Sequence, residues 1–297
     1  MSSNFAPAEE AVRGDAVIRR AAGQSEIVIT TTSRLAGAIH SLTWGGKEFI
    51  DSADHGRQLQ SAANFDAGGP FIPEVFNPTE AGSMRDGDGK ASSSKLLFLQ
   101  AADSQLRTKS QMAFWLAPGE KSAGQLARNE AVLSDHGLAK RVKIGHGPLD
   151  QVLEYDVTFT MPAAERHTYA QFEAVTGYMP AEFERFWRFD SASGQMQPLD
   201  DGPGEQSQPV VLATNDSLFA MGVYSPDQPS AGYEQAGYGR FRFAEAKVVK
   251  WNCVFRFHEA AGIPPGDHSF RCYVCVGTLA EVREALIALA AENWSSE

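Results

Sequence analysis

Cysteine is scarce in this chain. Only Cys253, Cys272 and Cys275 occur among 297 residues. Three thiols do not make a disulfide framework. Cys272-Tyr-Val-Cys275 spells C-x-x-C, but it sits in an alternating strand pattern. Positions three apart in a strand point to opposite faces, so the pair reads as buried small hydrophobes rather than as metal or redox thiols. Long apolar runs are missing as well. No stretch of about 18 apolar residues exists, which excludes a membrane-spanning helix. Positive charge is in deficit, with 26 Lys and Arg against 37 Asp and Glu and a formal net charge of −11. A phosphate backbone needs clustered cations, so a nucleic-acid partner is not expected, and the acidity reads as solubility.

Several motifs are also absent. There is no G-x-S-x-G elbow, no phosphate loop and no H-E-x-x-H helix. Asp86-Gly87-Asp88-Gly89 hints at a calcium loop, but Lys90 stands at its fifth position and no Glu closes it at the twelfth. No metal and no cofactor are therefore expected. The opening residues MSSNFAPAEEAVRGD lack the basic start and apolar run of a secretory signal. That leaves a cytoplasmic protein, or a periplasmic or secreted one whose leader has been removed.

What is present is sheet. Hydrophobic residues at 43% and charged residues at 21% describe an ordinary globular composition. Alternation marks strands at 26–31, 95–100, 105–116, 139–144, 167–178, 183–189 and 268–276. Residues 35–50 read as a hairpin turning at Gly45-Gly46, and 208–225 as one turning at Asn215-Asp216. Period two is sharpest at 152–160, where Leu153, Tyr155, Val157 and Phe159 share a face. It is equally sharp at 248–258, where Lys250, Asn252, Arg256 and His258 oppose Val249, Trp251, Cys253, Phe255 and Phe257. Polar stretches at 118–137, 190–208 and 226–240 read as loops, the first with room for a short helix. Only 279–292 reads as a long helix, with Thr278 as N-cap and Glu281 completing a capping box. Many short strands without helix–strand alternation predict an all-β fold, a large antiparallel β-sandwich with one C-terminal helix. The chain reads as a single domain over 1–297, with 1–25 a segment that can be flexible.

The richest stretch runs from His55 to Lys90. It combines Gly and Pro with Phe65, Phe71, Ile72, Val75 and Phe76, which is too apolar for a disordered linker. It reads as a folded loop over the mouth of the sandwich, with a strand beginning near Arg57–Gln60.

The run LAGAIHSLTWGGKEFIDSADHGRQLQSA, with HTYAQFEAVTGYMP and the closing HSFRCYVCVGTLAEV, resembles the galactose mutarotase-like β-sandwich superfamily. The resemblance implies a sugar cleft and a sugar or polysaccharide substrate. The Asn-His pair followed by aromatics that marks aldose 1-epimerases is absent, which turns the reading from simple mutarotation towards glycan cleavage by a hydrolase or uronate lyase. An epimerase and a non-catalytic carbohydrate-binding protein are the alternatives.

Sugar chemistry needs carboxylates or His for proton transfer, Arg or amides for orientation, and aromatics to cover ring faces. The candidate catalytic residues are Glu80, Asp86, His146 and Glu154. The candidate substrate-binding residues are Arg57, Gln60, Asn77, Arg85, Arg256 and His258. Hydrolysis would pair Glu80 or Asp86 with Glu154 or Glu173. Lyase chemistry would use Arg57, Asn77 and His146. His136, like His146, sits in a Gly-flanked loop pattern and is a further base candidate. Each has a plain structural reading too: Arg57 as an ion pair with Glu80 or Asp86, Asn77 as a turn residue, and the polar faces of 154–156 and 250–258 as solvated surface. A binding protein would keep an aromatic platform, for which Trp115, Trp187, Tyr233 and Tyr238 are candidates.

Overall fold

The computed structural model describes residues 12–292. Two antiparallel layers face each other. In the first, the strands run in the order Ala16–Ala22, Ser25–Thr31, Ile39–Trp44, Leu59–Phe65, Tyr169–Pro180, Val248–His258, Tyr238–Phe243 and Gly204–Gln206. In the second they run Lys95–Ala102, Gln105–Phe114, Leu133–His146, Leu149–Met161, Gly266–Gly277, Ala220–Tyr224, Val210–Ala213, Arg185–Asp190 and Gln195–Leu199. The two-residue strand Pro78–Thr79 pairs with Ala62 of the first layer and with Ala113 and Phe114 of the second, stitching the layers along one edge. The fold is the all-β sandwich expected from the sequence.

Alternation explains the core. Leu153, Tyr155, Val157 and Phe159 are buried between the layers, as are Val249, Trp251, Cys253 and Phe255. Phe172 of the first layer meets Phe159 and Phe270 of the second at ring-centroid distances of 5.1 and 5.3 Å. Trp251 needs Gly177 beside it, because a Cβ there would lie 2.5 Å from the indole. Cys272 belongs to this core, while Cys275 points the other way, into a second apolar cluster. That cluster is covered by the helix Leu279–Ala291, which buries Val282, Ala285, Leu286 and Leu289. Thr278 and Glu281 form the expected capping box.

Four expectations change. Residues 59–65, read as part of a loop, form a central strand buried at every position. Buried strands lack polar alternation and escape a period-two test. The excursion at 118–137 holds a small hairpin of Lys121–Ser122 and Gln125–Leu126, not a helix. Residues 190–208 contain Gln195–Leu199 and Gly204–Gln206. Within the segment expected to be flexible, Ala16–Ala22 pairs fully with Ser25–Thr31. The part of that expectation covering 1–11, and the question of a leader, lie outside the described residues.

Candidate functional site

The outer face of the first layer forms a cleft of about 450 Å³, within the ordinary range for ligand sites. Its floor is built in rows by strand register. Asn64, Gln171 and Arg256 lie side by side across three strands, then Ala62, Glu173 and Val254, then Gln60, Thr176 and Asn252. Tyr178, Lys250 and Phe241 make the last row. A β-bulge between Glu173 and Val175 sets this pattern. It inserts one residue, so Gln171 and Glu173 face the cleft, and beyond the bulge Thr176 and Tyr178 do.

Glu173 is the carboxylate at the centre. Lys250 Nζ lies 3.1 Å and Asn252 Nδ2 3.3 Å from its Oε2. Lys250 also lies over the rings of Tyr178 and Phe241, at 5.0 and 5.4 Å from their centroids. Burial opposes its charge, but Glu173 and Tyr178 outweigh burial and raise its pKa above the ordinary lysine value. Burial likewise raises the Tyr178 hydroxyl, against the pull of Lys250. Both groups therefore keep their protons near neutral pH. Asn252 accepts a hydrogen bond of 3.0 Å from the Gly239 backbone N–H, so its amide is fixed. On the other side, Arg256 donates to Glu205 Oε1 at 2.6 Å and to Ser230 Oγ at 3.1 Å.

An aromatic wall stands over this floor. The Phe241 and Phe243 rings are within 10° of parallel, and Tyr178 and Phe243 within 18°. Phe243 is 41% exposed, costly unless something apolar covers it. Trp115 lines the opposite rim and packs on Gly56, where a Cβ would lie 2.6 Å from the indole. Glu74 also lines the cleft; it accepts from Ser122 Oγ at 3.0 Å and has no ion pair among the described residues.

Of the ten candidates from sequence, Gln60, Asn77 and Arg256 line this cleft. His258 lines an adjoining hollow that shares Arg256 and also holds Tyr233. The rest are elsewhere. Glu80 is buried between the layers, ion-paired with Lys140, and accepts from the Ser61 backbone N–H. Asp86 is consumed by a capping box at Ser83 and by two hydrogen bonds from Ser93. Arg85 meets Glu120 at the surface. Arg57 pairs with Asp54 and Asp51 rather than with Glu80 or Asp86. His146 and Glu154 bond each other on the second layer, with Arg141, Lys143 and Glu292 around them. The proposed lyase trio of Arg57, Asn77 and His146 is thus not assembled. Of the platform aromatics, Tyr238 is buried and Trp187 packs on the helix-side cluster. The residues missed by sequence are Tyr178, Glu205, Phe241 and Phe243. Alternation in 238–243 could have flagged the phenylalanines, while the bulge hid Tyr178.

No protein-family model and no curated protein matches the sequence. Solved structures do match. One is an Escherichia coli K12 protein assigned as an aldose 1-epimerase, at 9% identity and a TM-score of 0.50, covering 89% of this chain and 100% of that one. Another is an α-mannosidase from Enterococcus faecalis V583, at 9% identity and a TM-score of 0.50, covering 91% of this chain. This chain spans only 31% of that enzyme's length. The fold is galactose mutarotase-like. At such identities the likeness establishes architecture and leaves the chemistry to the side chains. The mutarotase-like sandwich presents its cleft on the outer face of one layer, and the central strands of that layer supply nearly all of its floor.

Proposed function

We propose that the cleft binds a neutral carbohydrate and that Glu173 is the base that takes a proton from one of its hydroxyls. The observation carrying this reading is the flat wall of Tyr178, Phe241 and Phe243 set against a floor of fixed polar groups around Glu173. Aromatic rings cover the apolar face of a pyranose, and amides bond its hydroxyls. Charge decides against an acidic sugar. The cleft holds Glu74, Glu173 and Glu205 against Lys250 and Arg256, and both cations are paired. A uronate or sugar phosphate would meet no free cation there.

The reaction best supported is epimerisation at the anomeric carbon. Glu173 removes the proton of the anomeric hydroxyl and the ring C–O bond opens to a carbonyl; after rotation the ring oxygen attacks the other face of that carbonyl, and Glu173 returns the proton to the new anomeric oxygen. The ring oxygen gains negative charge as that bond breaks. Lys250 and Tyr178, which keep their protons, can donate hydrogen bonds to it. The assigned activity of the Escherichia coli neighbour, matched over its whole length, supports a sugar substrate.

Glycan cleavage is the second reading, favoured by Glu74. It shares the cleft with Glu173, and hydrolysis requires two carboxyl groups. Exchange-NMR of anomers, run beside a reducing-end assay on oligosaccharides, separates the two. Anomer exchange accelerated by the wild type and abolished in Glu173→Gln supports the first reading. New reducing ends without accelerated exchange support the second. A protein that neither binds nor turns over any neutral sugar in the panel refutes both.

A further inference from the structure

A different cluster lies at the end of the strand Leu59–Phe65. His136 opens the strand Leu133–His146, while Glu165 and His167 sit in the link between Leu149–Met161 and Tyr169–Pro180. One nitrogen of each imidazole and a carboxylate oxygen lie within 4.8 Å of one another. His136 Nε2 is 3.2 Å and His167 Nε2 2.8 Å from the same oxygen of Glu165. Both imidazoles are nearly sealed, at 2% and 3% exposure, and pack on the ring of Phe65 at 5.0 and 4.6 Å.

Two features do not fit a plain hydrogen-bonded triad. Neither ring nitrogen of His136 has a well-directed hydrogen bond, although the side chain is buried: Nδ1 has no partner and Nε2 has only its ion-pair contact with Glu165. An unsatisfied buried polar group is destabilising. His167, in turn, is held from behind. Its Nδ1 lies 3.3 Å from Asp66 Oδ1, and Asp66 is fixed by the Thr168 backbone N–H and hydroxyl at 3.1 and 2.6 Å. With Nδ1 held on the Asp66 side, Nε2 is the ring nitrogen that faces Glu165 and is left to bind an ion. Carboxylate–histidine pairs orient metal-bound imidazoles in this way.

We propose that His136, Glu165 and His167 bind a divalent transition-metal ion of the zinc type, with Asp66 orienting His167. Two imidazoles and one carboxylate suit zinc rather than calcium or magnesium, which take oxygen ligands. Ligands about 2.0–2.2 Å from a tetrahedral ion stand about 3.3–3.6 Å apart, a spacing this cluster reaches with small adjustments. The ion would tie together two segments distant in sequence, with a third joined through Asp66 and His167. It would also anchor the loop that starts at Asp66 and carries Pro73, Glu74 and Asn77 to the cleft. The site does not depend on what the cleft binds.

The test is calorimetric titration of ZnCl2 into the chelator-treated full-length protein, with the visible spectrum of the CoCl2-loaded protein as a second readout. The expected result is one ion per chain, an intense tetrahedral-type cobalt spectrum and a higher Tm with zinc. Binding is expected to be lost in His136→Ala and weakened about ten- to a hundredfold in Asp66→Asn. It should be retained in His146→Ala, which removes a histidine elsewhere. Circular dichroism of the metal-free variants checks their folding. Failure of wild-type protein to bind zinc or cobalt stoichiometrically overturns the proposal, and so does full-strength binding in a folded His136→Ala variant.

Discussion

The Glu80–Lys140 pair offers the sharpest test of the assignment of buried charge. Glu80 is 1% exposed and the Lys140 side chain fully enclosed. The ammonium also lies 5.8 Å from the centre of the Tyr155 ring. Glu80 spends its other oxygen on the Ser61 backbone N–H at 3.1 Å. Glu80→Gln preserves an acceptor for Ser61 but strands the ammonium between the layers. Lys140→Met strands the carboxylate. Removing one partner of a buried pair costs about 3–5 kcal/mol, because the survivor is left uncompensated. For a chain of this size that lowers Tm by roughly 5–8 °C. The double variant should recover most of the loss, since a neutral Gln can still accept from Ser61 and Met fills the space of the lysine stem. Denaturant unfolding of all four proteins yields the coupling energy, expected at about 5 kcal/mol or more, because the double variant should lose far less than the two single variants summed. Activity per folded molecule should stay unchanged. An unaltered Tm with loss of sugar binding or turnover in Glu80→Gln would refute this account and return Glu80 to the cleft.

Other outcomes follow from the same reasoning. His146 is opposed by burial, but Glu292 and Glu154 raise its pKa above the ordinary value of 6.5. Its stabilisation is therefore full below about pH 6.5 and is lost as pH rises through the raised folded value. The Tm difference between wild type and His146→Ala should narrow with rising pH, and a gap that widens contradicts the network. The thiols of Cys253 and Cys275 are pushed up by burial, and all three cysteines are free. Native protein should resist a thiol reagent that reacts fully after unfolding, and reductant should leave Tm unchanged. Thr278→Ala should cost about 1 kcal/mol by uncapping the C-terminal helix, measured by denaturant unfolding. Phe241→Ala should weaken sugar affinity with little loss of stability, because the ring is only half-buried. An unaffected affinity would remove the aromatic wall from the site.

Local pattern was enough to read the architecture. Alternation at 152–160 and 248–258 assigned inward faces that are buried as expected, and the capping signal placed the helix start at Thr278. Such signals are legible because a strand's side-chain period and a helix cap depend on residues only a few positions apart. The site was legible only in part. Gln60, Asn77 and Arg256, named from sequence, line the candidate cleft, and Glu173 appeared as one carboxylate among several. Glu80, Asp86, Arg85 and Arg57 looked equally suited, yet each is taken up by a partner that composition cannot reveal. A charged side chain becomes a brace or a site according to what faces it. For Glu80 that was Lys140, 60 positions away. For Glu173 it was Lys250 and Asn252 on the neighbouring strand, and a bulge decided that Tyr178 would join them. Pairings across such separations are set by strand register and by the stacking of the layers, so they exist only once the chain has folded.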